Sequence, residues 1–148
     1  MPFFHCSSTI LESGSVIRPG NWGRIIRNCG WAHTLALREA AVEYVRRLEF
    51  SDKPSRLLST FFFDDEKEAR FYAISDGRQT TMIVYEVELI EPGATCHIAD
   101  WRSVAPRGGI DLEWAREYWL GTFQPSHQSG AVCRELVAIT PVKVLRPI

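Results

Sequence analysis

Hydrophobic positions along this chain fall mostly in short alternating or continuous stretches, separated by clusters of Gly, Pro, Ser and Asn, so strands are predicted to outnumber helices. Phe3 to Ser7 reads as an opening strand, with Phe3, His5 and Ser7 on one face and Phe4 and Cys6 on the other. Residues 13–24 are dense in turn formers and read as an ordered loop, which Trp22 and the flanking arginines make more than a linker. A helix is predicted from Thr34, its cap, to Glu49, with Leu35, Ala41, Val42, Val45 and Leu48 as its apolar stripe. Most of its charges, Arg38, Glu39, Glu43, Arg46 and Arg47, are expected on a solvated face. Pro54 stops it, and residues 55–63 form a loop leading into a buried strand at Phe61-Phe62-Phe63.

Asp64 or Asp65 caps the next predicted helix, which carries Ala69, Tyr72 and Ala73 and ends near Asp76-Gly77. The clearest strand runs from Thr81 to Ile90, with Ile83, Tyr85, Val87 and Leu89 on one face and Glu86 and Glu88 on a wetter one. A second extended piece follows, from Ala94 to Ala99 and ending at Asp100. Asp111 caps a short helix to Leu120, and residues 124–130 form a polar loop. Strands at 132–139 and 142–146 close the chain, joined by a tight turn at Thr140-Pro141. The pattern is α+β in one domain, 1–148, without repeats.

Glu135 breaks the last of these apolar stretches. Alternation puts Cys133, Glu135, Val137 and Ile139 on one face and Val132, Arg134, Leu136 and Ala138 on the other. An unpaired buried carboxylate costs several kcal/mol by order of magnitude, so Glu135 is paired with a cation, placed at a strand end, or working in a cleft.

The 148 residues, 45% hydrophobic and 11% aromatic, suffice for a core. Lys plus Arg at 17 against Asp plus Glu at 18 gives a net charge of -1, so no global field attracts nucleic acid or an anionic membrane, although Arg18, Arg24 and Arg27 can line a local basic cleft. No stretch approaches the roughly 20 apolar residues of a membrane span, and the default expectation is a cytoplasmic protein or a delivered effector. Cys6, Cys29, Cys96 and Cys133 are scattered singly, which predicts reduced, mostly buried thiols and no zinc site. His33, His97 and His127 are assigned to loops or element ends without a role. No nucleophile elbow, phosphate loop or dinucleotide fingerprint is present.

Phe4-His5-Cys6-Ser7-Ser8 followed by Leu11, Gly14, Ile17, Pro19 and Gly20 is similar to the opening of rifampin ADP-ribosyltransferases. Ser59 to Tyr72 resembles their second motif, and Met82 to Asp100 the strand and loop that follow. The chain is thereby identified as a member of the ADP-ribosyltransferase superfamily. More closely, Arg38-Glu39, Glu43, Arg46, Phe50, Pro54-Ser55-Arg56-Leu57, Tyr118-Trp119 and Glu135-Leu136-Val137 resemble an uncharacterised bacterial family of unknown function.

The superfamily resemblance implies a split β-sandwich of two small sheets with flanking helices. It implies an enzyme that uses NAD as co-substrate, transferring ADP-ribose to a protein, nucleic acid or small-molecule acceptor as a toxin, a resistance enzyme or a housekeeping protein. His5 would bind the adenosine-side ribose beside Ser7, and Glu135 would hold the nicotinamide ribose while its glycosidic bond breaks. Arg24 and Arg56 would grip the pyrophosphate. The Tyr of many relatives is replaced by Phe61 or Phe62, which can stack on nicotinamide, and Ser59, Thr60 or Tyr72 would supply a hydroxyl. Asp100 rivals Glu135 as the key carboxylate, with Glu135 preferred, and Cys133 stands where relatives carry an acceptor-activating Glu or Gln. Two other expectations stand beside this one: a non-catalytic binding module on the same fold, and a structural ion pair of Glu135 with Arg56 or Arg24.

Overall fold

The computed structural model describes residues 1–75 and 82–148. Among these residues seven strands form two antiparallel sheets: β1 (Phe3–Ser7), β2 (Val16–Ile17), β3 (Thr60–Phe62), β4 (Ile83–Leu89), β5 (Cys96–Asp100), β6 (Arg134–Ala138) and β7 (Val142–Pro147). One sheet has the order β1-β4-β7-β2 and the other β3-β6-β5. They meet where Phe4 and Phe63 exchange two backbone hydrogen bonds of 2.8 Å, so the strand carrying His5 abuts the strand that pairs with Glu135's own. Four α-helices complete the α+β fold: α1 (Asn21–Cys29), α2 (Ala36–Glu49), α3 (Glu66–Ile74) and α4 (Glu113–Leu120).

The apolar faces read from the sequence build the core. Tyr85 and Val87 pack on Val142 and Val144 with Ile83 and Leu89 beside them, while Val84, facing the other way, joins Phe4, Phe63, Ala69 and Ala73 under α3. Val42 and Val45 of α2 meet Trp114, Ala115, Tyr118 and Trp119 of α4 over Ala99 of β5, and the Trp119 indole donates to Val42 O at 2.9 Å. Asp65 caps α3, its carboxylate accepting from the Lys67 and Glu68 amides.

Several expectations give way. The segment 13–24 is not all loop, because α1 begins at Asn21. Its first turns hold Gly23, whose missing side chain lets the helix lie against the Leu57 carbonyl, and a Cβ there would stand 1.8 Å from that oxygen. Thr34 does not cap α2, which starts at Ala36 behind Leu35 without a side-chain cap. The charged face of α2 is not solvated, since Glu39 and Glu43 are buried and paired, whereas Leu48 of the supposed apolar stripe is exposed. Thr140-Pro141 does turn the chain, but β6 and β7 lie in different sheets. The Thr140 carbonyl accepts from Thr60 Oγ1 at 2.7 Å instead of closing a hairpin.

The last apolar stretch enters its strand later than expected. Cys133 precedes β6 in a left-handed conformation (φ 59°), outside the alternation that would align it with Glu135. The Glu68 carboxylate holds it there, accepting from the Val132 amide at 3.2 Å and the Cys133 amide at 2.9 Å. Of the cysteines expected to be mostly buried, Cys133 is buried, Cys6 half-buried, and Cys29 and Cys96 are exposed. His97 lies inside β5, packed against Tyr118 and Trp119. Asp76-Gly77 and Thr81 lie outside the described residues. Among the described helices none is long and apolar enough to cross a membrane.

Candidate functional site

Glu135 faces α2 and α4 from the middle of the second sheet, opposite Ala99 of β5. Only 4% of it is exposed, and its Oε1 accepts twice, from Arg56 Nη1 at 2.5 Å and from the Tyr118 hydroxyl at 2.9 Å. Oε2 accepts from none of the described residues. Arg56 Nη1 also donates to the Tyr118 oxygen at 2.8 Å, while its Nε and Nη2 reach the two carboxylate oxygens of Glu39 at 3.1 and 3.2 Å. Arg38 completes the row by donating to Glu39 Oε1 at 2.8 Å.

The guanidinium of Arg56 lies between two aromatic faces, 4.8 Å from the Phe61 ring centroid and 4.9 Å from that of Tyr118. Burial pulls the Arg56 pKa down, but Glu39, Tyr118 and Glu135 outweigh it and hold the pKa well above the usual guanidinium value. Burial pushes the Glu39 carboxyl up, yet Arg56 and then Arg38 bring it down to about 2. Tyr118 is driven well above 10, first by burial and further by Glu135. One turn along α2, Glu43 gathers Arg46, Arg47 and the Ser55 hydroxyl. With two buried cation-to-carboxylate links and its aromatic faces, the network satisfies the conditions under which buried charge is tolerated.

His5 belongs to a different surface. It lines a cleft of about 340 Å³ with Ser7, Thr9, Arg18, Asn21 and Arg24, so the structure brings His5, Ser7 and Arg24 together. Arg24 donates to the Asn21 side chain on the same turn of α1. His5 Nδ1 lies 2.7 Å from Phe61 O, and because a carbonyl only accepts, Nδ1 carries the proton. Burial holds the imidazole pKa below its ordinary 6.5 against the raising effect of that bond, so the ring is neutral at pH 7 and Nε2 presents a lone pair.

Phe61 links the two places, its carbonyl on His5 and its ring on Arg56. The other expected residues divide between burial and the margins. Phe62 is fully buried against Leu136 and Ala138, so it has no surface to stack on a ligand, and the partly exposed Phe61 is the ring that faces a partner. Ser59 is 2% exposed and its hydroxyl donates to Ser55 O at 2.7 Å. Tyr72 packs between Phe63 and Trp101 on α3. Asp100, wholly buried, receives Arg102 side-on through Oδ1 and Oδ2 and the Gln124 amide at 3.0 Å. Tyr118 and Glu39 were not assigned a part from the sequence, although both stand in the strings that carried the closer resemblance.

The two-sheet α+β fold with a buried Arg-Glu row defines the class structurally. The chain belongs to the family described as protein of unknown function (DUF2441), whose family model matches residues 8–145. No curated protein matches the chain.

Proposed function

We propose that this protein is an NAD-dependent mono-ADP-ribosyltransferase whose NAD cleft is the one lined by His5, Ser7, Arg18 and Arg24. The observation that carries the reading is the joint presence in that cleft of a neutral imidazole with an open Nε2, a hydroxyl and two guanidiniums. The lone pair suits a ribose hydroxyl, and guanidiniums suit pyrophosphate oxygens. Glu135 does not line that cleft and lies beyond Phe61; its carboxylate, drawn to the cleft, would stabilise positive charge on the ribose as neutral nicotinamide departs. Arg56 keeps that carboxylate neutralised at rest, so catalysis requires NAD to draw Glu135 away from it. Asp100, tied to Arg102, is the weaker candidate for the same role. The acceptor is a protein, a nucleic acid or a small molecule.

The Arg56–Glu135 pair also favours a second reading, a binding module that keeps the cleft without the chemistry. Calorimetry with NAD, paired with a nicotinamide-release assay on wild type, Arg24→Ala, Glu135→Gln and Asp100→Asn, separates the two. The transferase reading expects binding that Arg24→Ala weakens at least tenfold and release that Glu135→Gln abolishes. Release equally fast in Glu135→Gln, or absent from wild type on every acceptor, ends the transferase reading; no NAD-dependent heat, with a partner retained by wild type and Glu135→Ala alike, leaves the module.

A further inference from the structure

Residues 13–38 hold four of the chain's 17 basic residues and none of its 18 acidic ones, so the net charge of -1 divides into +4 there and -5 elsewhere. The fold turns that local excess into a surface. Arg18, Arg24 and Arg27 are exposed, and among the described residues no carboxylate pairs with any of them. Every other described arginine is ion-paired, Arg38 included. Arg24 donates to the Asn21 side chain, which is neutral.

The three stand close together. Arg18 and Arg24 line the cleft of His5, and Arg27 follows Arg24 three positions on along α1, about 4.5 Å along the helix axis. Just beyond the end of α1, in the short turn at residues 30–32, Trp31 is 77% exposed. Asn21 and Asn28, both exposed, add side-chain amides to the same helix. Glu39, the first acid after this stretch, is buried and held by Arg38 and Arg56, so it projects no charge onto the surface.

We infer that the surface along α1 binds single-stranded nucleic acid, its phosphates on Arg18, Arg24 and Arg27 and a base on Trp31. Guanidiniums without carboxylates fit a chain of phosphates, and an exposed indole fits a base face that a duplex keeps stacked. An anionic bilayer would answer the arginines too, but the amides of Asn21 and Asn28 and the cleft hydroxyls of Ser7 and Thr9 suit a sugar-phosphate chain and not acyl chains. The binding needs no NAD. That the strand is also the acceptor rests on the transferase reading, in which the NAD pyrophosphate takes Arg18 and Arg24 and the strand keeps Arg27 and Trp31.

Fluorescence anisotropy of a short labelled oligothymidylate, titrated with the full chain in the absence of NAD, tests it. The expected result is binding that weakens with salt along a log-log slope of about -2, the value for three phosphate contacts to a single strand. Arg27→Ala should weaken binding at least threefold at low salt and flatten that slope by about 0.7. Trp31→Ala should weaken it at least fivefold, and Trp31→Phe should restore most of the loss. Lys67→Ala, the same change of charge on α3, should leave affinity within twofold. No binding at roughly 100 μM protein and low salt, a duplex of the same length bound as tightly, or a Lys67→Ala loss equal to that of Arg27→Ala overturns the proposal. So does binding to phosphatidylglycerol vesicles without binding to the oligonucleotide. Should a variant lose its fold, the salt slope and the duplex comparison on wild type decide it alone. Because this titration omits NAD and the NAD calorimetry omits the strand, each reading fails separately from the other.

Discussion

Arg56 donates to Glu135 at 2.5 Å across 79 positions of sequence, and the same guanidinium holds Glu39 of α2 with its other edge. The short helical turn at residues 56–58 is thereby pinned to a helix on one side and to the centre of a sheet on the other. Arg56 serves two carboxylates, whereas Glu135 serves one cation and one phenol, so the two ends of the pair are not equivalent. Losing the arginine leaves Glu135 with only the Tyr118 hydroxyl and Glu39 with only Arg38. Losing the glutamate leaves Arg56 still neutralised by Glu39.

Arg56→Met is therefore expected to cost about 3–5 kcal/mol, the range for stranding buried charge, and Glu135→Gln clearly less, because the amide oxygen still accepts from Arg56 and Tyr118. Urea unfolding of the two variants and of the double variant measures both the inequality and the coupling. Equal losses, or a greater loss in Glu135→Gln, would show that Glu39 does not share the arginine.

Acid unfolding should occur in two stages. His5 and His97 both have pKa values held below 6.5, mainly by burial, so below pH 6.5 the unfolded chain takes up protons that the folded one resists, and stability falls. Glu39 contributes the second stage. Its folded pKa of about 2 against 4.5 unfolded means that its contribution is complete above pH 4.5 and is lost as pH falls towards 2, on the order of 3 kcal/mol at the linkage value of about 1.4 kcal/mol per unit. Unfolding free energy measured from pH 8 to 2 should show both limbs, His97→Gln flattening the first and Glu39→Gln the second. A Glu39→Gln profile parallel to wild type below pH 4.5 would remove Glu39 from this role.

Most strands were legible because each carries its own local signal. Ile83, Tyr85, Val87 and Leu89 alternate in a way that only a half-buried strand explains, and Asp65 names its helix start. The buried charge on α2 was not legible from periodicity, since Glu39 and Glu43 look like any solvated helix face until Arg56, Ser55 and Tyr118 arrive from distant sequence. Those same residues recur in the strings that carried the closer resemblance in the sequence, Arg38-Glu39, Glu43, Arg46, Ser55-Arg56, Tyr118 and Glu135. For the site, alternation placed His5 and Ser7 together, but the local pattern hid the helix that delivers Arg24, because Gly, Pro and Asn dominate its approach.

Gly23 is the residue that concealed α1, and it gives the sharpest test of how the basic cleft is built. α1 carries Asn21 and Arg24 to the cleft, and its position depends on lying against the Leu57 backbone with no side chain between them. Helix propensity alone favours Gly23→Ala by roughly 1 kcal/mol. The added methyl, however, meets a carbonyl oxygen and not a flexible side-chain tip, so the helix must move outward or the segment 56–58 must retreat. Either shift costs about 1–3 kcal/mol or more, as overpacking does, and the sign of the substitution reverses from stabilising to destabilising. Gly93→Ala, where a Cβ meets nothing within 4 Å, is the matched control and should stay within about 0.5 kcal/mol of wild type. Urea midpoints for the two variants decide the matter, and a Gly23→Ala protein as stable as Gly93→Ala would mean that α1 does not need its close approach to Leu57.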